Sequence, residues 1–198
     1  MRVGVYGGSF NPPHIAHLLI AELMREEFRL SQVLWVVSPR PPHKDPTALA
    51  PADDRLAMVE LAIAGNTCFS VSDIELRREG PSYTIDTLRQ LRDELPGSEL
   101  CLLLGGDSLA EFDSWRSPDA ILTEAHLLVY ERAQRASYGR IAHSERVHFS
   151  SSPSIDISSS AIRRRIRQGQ TTRYLVPEPV RAYIARRVLY GFIPEHDD

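Results

Sequence analysis

The chain has 198 residues, 42% hydrophobic and 25% charged, with 14 prolines and 11 glycines; this composition excludes disordered, collagenous and repeat proteins and suits one domain, residues 1–198, around a full core. A formal charge of −3 and a pI near 6.2 give no field for gripping nucleic acid by its phosphates, and no apolar run approaches the ~20 residues of a membrane span. The N-terminus reads as a strand rather than a signal peptide, and Cys68 and Cys101 stand outside any CxxC pair, so a cytoplasmic globular protein without a disulfide framework is expected.

Val3–Gly7 reads as a short buried strand stopped by Gly7-Gly8, and His17–Phe28 as a helix with Leu19/Leu23 and Ile20/Met24 at i, i+4. Val33–Ser38 is a continuous apolar run, the pattern of a strand buried on both faces. Pro39–Pro51 holds five prolines and no periodicity and reads as a loop. Asp53–Ala64 is helical, with Leu56, Val59 and Ile63 inward, and Phe69–Leu76 alternates like a strand. Thr84–Leu95 is the next helix, closed by Pro96-Gly97, and Leu100–Leu104 a second fully buried strand ending in Gly105-Gly106-Asp107. Short helices near Ser108–Phe112 and Pro118–Glu124 follow, then strands at His126–Tyr130 and Val147–Ser150. Helices over Ser158–Gln168 and Pro177–Tyr190 close the chain, and Arg132–Glu145 is the expected flexible segment. Alternating strands and helices imply a Rossmann-like α/β fold: an open parallel sheet with helices on both faces and ligands at the carboxyl ends of its strands.

The first strand exits through Gly7-Gly8-Ser9-Phe10-Asn11-Pro12-Pro13-His14-Ile15-Ala16-His17 straight into a helix. Paired glycines admit a close ligand, helix-start amides attract phosphate, and His14 and His17 share one face of the first turn. The pattern is neither GxGxxG nor GxxxxGK[ST], which counts against dinucleotide oxidoreductases and P-loop proteins; a tight turn with capping residues is the bland alternative. Near the other end, a serine cluster opens a basic helix with Arg163 one turn in, a second arrangement of hydroxyls, amides and cation suited to an anion. Of 23 basic residues only Lys44 is lysine, and it lies in the proline-rich loop.

Gly7–His17 resembles the (H/T)xGH signature of the nucleotidylyltransferase superfamily, departing from it at Ala16, where glycine is usual. Ile157-Ser158-Ser159-Ser160-Ala161-Ile162-Arg163 resembles the superfamily's ISxTxxR signature, with Ser160 in the threonine place. Pro41–Lys44, Pro81–Leu88 and Gly105–Leu109 through Trp115 are similar to stretches of the bacterial nicotinate-nucleotide adenylyltransferases, in the same order, so the resemblance spans residues 3–166. It implies an enzyme that joins the AMP part of ATP to nicotinate mononucleotide in NAD biosynthesis, with Mg²⁺ bridging phosphates. Carried over by position, Gly7, Gly8, Ser9, His14, His17, Ser158, Ser160 and Arg163 would hold the ATP phosphates, and Gly105 and Asp107 the adenosine. Tyr83, Thr84 and Trp115 would meet the pyridine ring and its carboxylate, and Lys44 would neutralise phosphate charge. Catalysis would rest on His14, His17, Lys44 and Arg163. Arg55 reads as loop support, and His43, His126, His143, His148 and His196 have no metal-ligand spacing. Neither nucleic acid nor membrane is an expected partner; self-association into a homo-oligomer is not decided by the residues. A phosphopantetheine-type acceptor and a non-catalytic nucleotide sensor are the rival readings.

Overall fold

The computed structural model describes residues 1–41, 46–131, 138–153 and 155–192. Its six strands are β1 (Arg2–Gly8), β2 (Gln32–Val37), β3 (Phe69–Ser72), β4 (Glu99–Gly105), β5 (His126–Tyr130) and β6 (Val147–Phe149). They form one sheet in the order β3-β2-β1-β4-β5-β6, every pair parallel. The helices are α1 (Ile15–Glu27), α2 (Ala52–Ile63), α3 (Thr84–Glu94), α4 (Gly106–Ala110), α5 (Pro118–Glu124), α6 (Ser159–Arg167) and α7 (Glu178–Arg186).

Side chains alternate across a strand, and here the alternation separates two apolar layers. Val3, Val5, Leu100, Leu102 and Leu104 pack with Ile85, Leu88 and Leu91 of α3 and Ile121 of α5. Tyr6, Cys101, Leu103 and Trp35 face the other way, onto Ala16, Ile20 and Met24 of α1 and Val59 of α2. Helices therefore cover both faces, as the buried strands require. A third cluster joins Met58 of α2 to Ile162 and Ile166 of α6 and Val180 and Ile184 of α7, fixing the C-terminal helices beside α2.

Several boundaries differ from the sequence reading, each for a local reason. α1 begins at Ile15 because His14 is its N-cap with extended backbone. β3 stops at Ser72, and Asp73–Arg77 turns instead, with the Asp73 carbonyl accepting from Leu76 N–H at 2.8 Å. The helix expected near Ser108 starts at Gly106 and tightens into a 3₁₀ turn at Phe112–Ser114. The last helix ends at Arg186, well short of Tyr190, because Val188 and Tyr190 take left-handed backbone at φ 51° and 61°. Within 132–145, residues 132–137 lie outside the described residues, and Arg140–His143 is a 3₁₀ turn seating buried Ile141.

At the amino-terminal edge of the sheet, His126 and His148 stack with ring centroids 5.3 Å apart and ring nitrogens 3.1 Å apart, and His126 lies 3.7 Å from Glu99. Burial first, and the Arg146 guanidinium next, hold the His126 imidazolium below its usual range, against the pull of Glu99. A depressed histidine pKa means the unfolded chain takes up the proton first, so its stability contribution is intact above the unfolded pKa and lost as pH falls toward the folded one. Tm should therefore drop between about pH 7 and pH 5, before carboxylates titrate, and His126→Gln should flatten that slope. An equal slope in the variant, read by thermal melts across that range, would remove His126 from the acid response.

Candidate active site

β1 carries the chain to the centre of the sheet and there parts from one neighbour. Its last registered pair with β4 is Tyr6↔Leu103, while pairing with β2 continues to Gly8↔Val37. The sheet thus opens beyond Tyr6, between the two strands where the winding direction reverses, the place at which open parallel sheets take ligands. A cleft over this edge has two compartments, of about 440 and 630 Å³, both bordered by Tyr6, Gly7, Gly8, Ser9 and Tyr130. The Tyr6 and Tyr130 hydroxyls stand 3.5 Å apart at their junction.

The smaller compartment is built by two helix starts. Phe10 turns inward in a left-handed conformation, φ 43°, a cost of about 1–3 kcal/mol that its burial beside Tyr6, Trp35 and His17 offsets. A Cβ on Gly8 would lie 3.0–3.2 Å from that ring, so the second glycine is what lets Phe10 fold under the loop. His14 and His17 stack at 3.6 Å, and His14 N–H donates to His17 Nδ1 at 3.1 Å. That bond makes Nδ1 the acceptor and leaves the neutral ring's proton on Nε2.

α6 is stitched onto the same loop. Ser158 caps the helix by accepting from Ala161 N–H at 3.2 Å, and Ser159 Oγ donates to the Pro12 carbonyl at 2.9 Å. Arg163 donates to the Asn11 carbonyl at 2.9 Å and to Ser160 Oγ at 3.3 Å. Burial works against the charge of Arg163, though an arginine stays protonated under such a load. His14, His17, Ser158, Ser159, Ser160 and Arg163 all line this compartment. Donors, a cation and two positive helix ends therefore converge on one space, which is suited to a polyphosphate.

Arg55, which the sequence marks as loop support, is buried and holds the rim in place. Its guanidinium donates to the carbonyls of Ser9 at 2.8 Å, Ser38 at 2.7 Å, Pro39 at 3.2 Å and Ala50 at 3.0 Å. Asn11 adds a second tie, donating to the Ala48 carbonyl at 2.9 Å and accepting from Ala50 N–H at 3.0 Å.

The larger compartment is aromatic. Tyr83, Thr84 and Trp115 line it with Gly105, Leu102 and Leu104. Tyr83 is the N-cap of α3, and Asp86 and Thr87 are the first residues whose N–H groups reach its carbonyl, at 3.1 and 3.2 Å. The Thr84 and Ile85 amides precede those bonds and have no helical acceptor. Arg116 lies 4.6 Å over the Tyr83 ring and pairs with Asp86 at 3.4 Å.

Of the site residues expected from sequence, Asp107 is exposed in the first turn of α4 and lies outside the lining of both compartments. Lys44, like His43 and His196, lies outside the described residues. All the others line the cleft. Sequence reasoning did not find Tyr6, Tyr130 or Glu75; Tyr130 could have been found as the last residue of a parallel strand, whereas nothing local marks Glu75. Among the described residues no three His, Cys, Asp or Glu side chains are grouped to hold a metal ion, and no carboxylate lines the smaller compartment.

The comparisons agree with this architecture. Residues 5–165 match the cytidylyltransferase-like family model. A protein of Salinibacter ruber named "Probable nicotinate-nucleotide adenylyltransferase" is 44% identical, the match covering 96% of this chain and 98% of that one. A Geobacter metallireducens protein of the same name is 42% identical over the same shares. The solved Plasmodium falciparum nicotinic acid mononucleotide adenylyltransferase in complex with NaAD superposes at a TM-score of 0.83 over 97% of this chain and 98% of its own, at 20% identity, a likeness of fold. The chain belongs to the cytidylyltransferase-like nucleotidyltransferases and, within them, to the nicotinate-nucleotide adenylyltransferases.

Gly7 gives a direct probe of the cleft. A Cβ there meets nothing within 4 Å, so it would project into open space at the border of both compartments. Gly7→Ala should leave Tm within about 2 °C of the parent yet lower kcat/KM for ATP at least ~10-fold, because a small misplacement of a bound reactant is costly. Unchanged kinetics would mean that no substrate passes over Gly7.

Proposed function

We propose that this chain transfers the AMP moiety of ATP to the 5′-phosphate of nicotinate mononucleotide, giving nicotinate adenine dinucleotide and pyrophosphate. The observation that carries this reading is the cleft itself: a donor-rich compartment between two helix starts joins an aromatic compartment across the end of β1. ATP phosphates suit the first and a pyridine mononucleotide the second, with the α-phosphorus at the border by Gly7 and Gly8.

A phosphate monoester is already an anionic nucleophile, so the reaction needs no protein nucleophile and no strong base. The protein lowers the barrier by positioning the two anions and neutralising the charge that passes to pyrophosphate. In this reading Arg163 and the α6 hydroxyls meet the leaving pyrophosphate, His14 and His17 the transferring phosphoryl group, and Lys44 supplies further positive charge. A divalent ion such as magnesium, which commonly keeps its waters and takes few protein ligands, would be held chiefly by the ATP phosphates and would supply further charge neutralisation there. The Thr84 and Ile85 amides receive the pyridine carboxylate, and Trp115 covers the ring.

Pyrophosphate release from ATP, assayed with nicotinate mononucleotide, nicotinamide mononucleotide and phosphopantetheine, tests the reading. Nicotinate mononucleotide should lead nicotinamide mononucleotide by at least ~10-fold in kcat/KM, because a carboxamide leaves buried donors unpaired. Turnover only with phosphopantetheine, or with no acceptor, would overturn it. His17→Ala should lower kcat by about 100–1000-fold with a much smaller change in KM for ATP, the loss of one preorganised donor. A variant with near-parental kcat would take His17 out of the mechanism.

A further inference from the structure

Among the described residues, Glu75 is the one carboxylate buried in the wall of the aromatic compartment. It follows β3 in a tight turn, beside Ile74, which is fully buried and fixes the turn to the core. One carboxylate oxygen accepts from the Thr87 hydroxyl at 2.6 Å. The other is buried with no hydrogen-bond partner among the described residues. Arg78 stops one group short: it donates to Thr87 Oγ1 at 3.0 Å, and its second terminal nitrogen is buried without a hydrogen-bond partner among the described residues. Arg116, the cation lining the same compartment, is engaged by Asp86 and the Tyr83 ring. A carboxylate half-supplied with donors in an apolar setting costs stability, and that cost calls for compensation by something that enters the cavity.

The acceptor's chemistry says what that is. The ring of a pyridine mononucleotide is N-ribosylated, so its nitrogen carries a positive charge and no N–H. Such a charge cannot be hydrogen-bonded; it is met by aromatic faces and by an anion acting through space. Both are here: Tyr83 and Trp115 line the compartment, and Glu75, one of whose oxygens is buried and unpartnered among the described residues, belongs to its wall. The nicotinate ring also carries its own carboxylate, and the first turn of α3 presents free amides to it. Thr87 binds Glu75 from that same turn, its amide reaching the Tyr83 carbonyl. Positive helix end and anionic carboxylate thus stand side by side, a dipole matched to a zwitterionic ring.

Resting on the function proposed above, we infer that Glu75 is a specificity-determining residue that selects the cationic pyridinium ring through its charge. The test compares binding of nicotinate mononucleotide with binding of its benzoate C-nucleotide, which keeps the flat ring, carboxylate, ribose and phosphate but has carbon in place of the charged nitrogen. Calorimetry on the intact protein needs no turnover, so the result stands whatever the acceptor assay gives. The parent protein should bind the cationic ligand at least ~10-fold more tightly. Glu75→Gln, which keeps an oxygen for Thr87, should cut that ratio at least about threefold by weakening the cationic ligand alone; the aromatic faces hold the remainder. Equal affinities in the parent overturn the inference without any variant. A ratio unchanged in folded Glu75→Gln, or both ligands weakened alike, overturns it by reducing Glu75 to a support for Thr87.

Discussion

The site hangs on one guanidinium. Arg55 is rooted in α2 and buried beneath the rim of the cleft, where its donors take the carbonyls of Ser9, Ser38, Pro39 and Ala50. Those oxygens belong to the loop after β1, the loop after β2 and the approach to α2. Backbone carbonyls turned inward at three loops would repel one another and lack partners; a planar fork of fixed donors answers all of them. Burial works against its charge. The charge-assisted bonds hold it there, and a lysine could not reproduce their geometry. Asn11 repeats the device on a smaller scale, and Arg163 ties the Asn11 carbonyl to α6. Three polar side chains thereby convert mobile loop types into a fixed surface.

That surface is arranged for charge rather than for acid–base chemistry. Two helix starts, a stacked histidine pair, serine hydroxyls and a guanidinium line a space of about 440 Å³. Every one of these donates to, or attracts, an anion. Across the border the chemistry changes to aromatic faces, free amides and, among the described residues, a single buried carboxylate. In the function proposed above, this contrast would order two anionic substrates in one cleft: the polyphosphate where donors are dense, and the ring where they are few and directional. Orientation of this kind substitutes for a nucleophile, because the incoming phosphate already is one.

Much of this was legible in the residues. Continuous apolar runs located β2 and β4 because both faces of a central parallel strand are buried, and Pro118 and Tyr130 bounded α5 and β5 where the sequence reading placed them. The glycine pair with His14 and His17, and the serine cluster with Arg163, could be seen as two anion sites. That they line one compartment could not, because it depends on α6 packing beside α2 through Ile162, Ile166 and Met58, a contact across about half the chain. The end of α7 was missed because nothing in Val188 or Tyr190 announces left-handed backbone; their side chains disfavour it. Glu75 was missed for a related reason: its meaning lies in Thr87 and the cavity wall, neither of which it neighbours in sequence.

The most direct measurement follows the α-phosphorus itself. ATP carrying sulfur in a single configuration at that atom should give a dinucleotide of inverted configuration, read by phosphorus NMR, because the mononucleotide phosphate attacks in line within the cleft in one displacement. Retention would mean two displacements through an adenylylated side chain, and would contradict a site that works by positioning and charge alone.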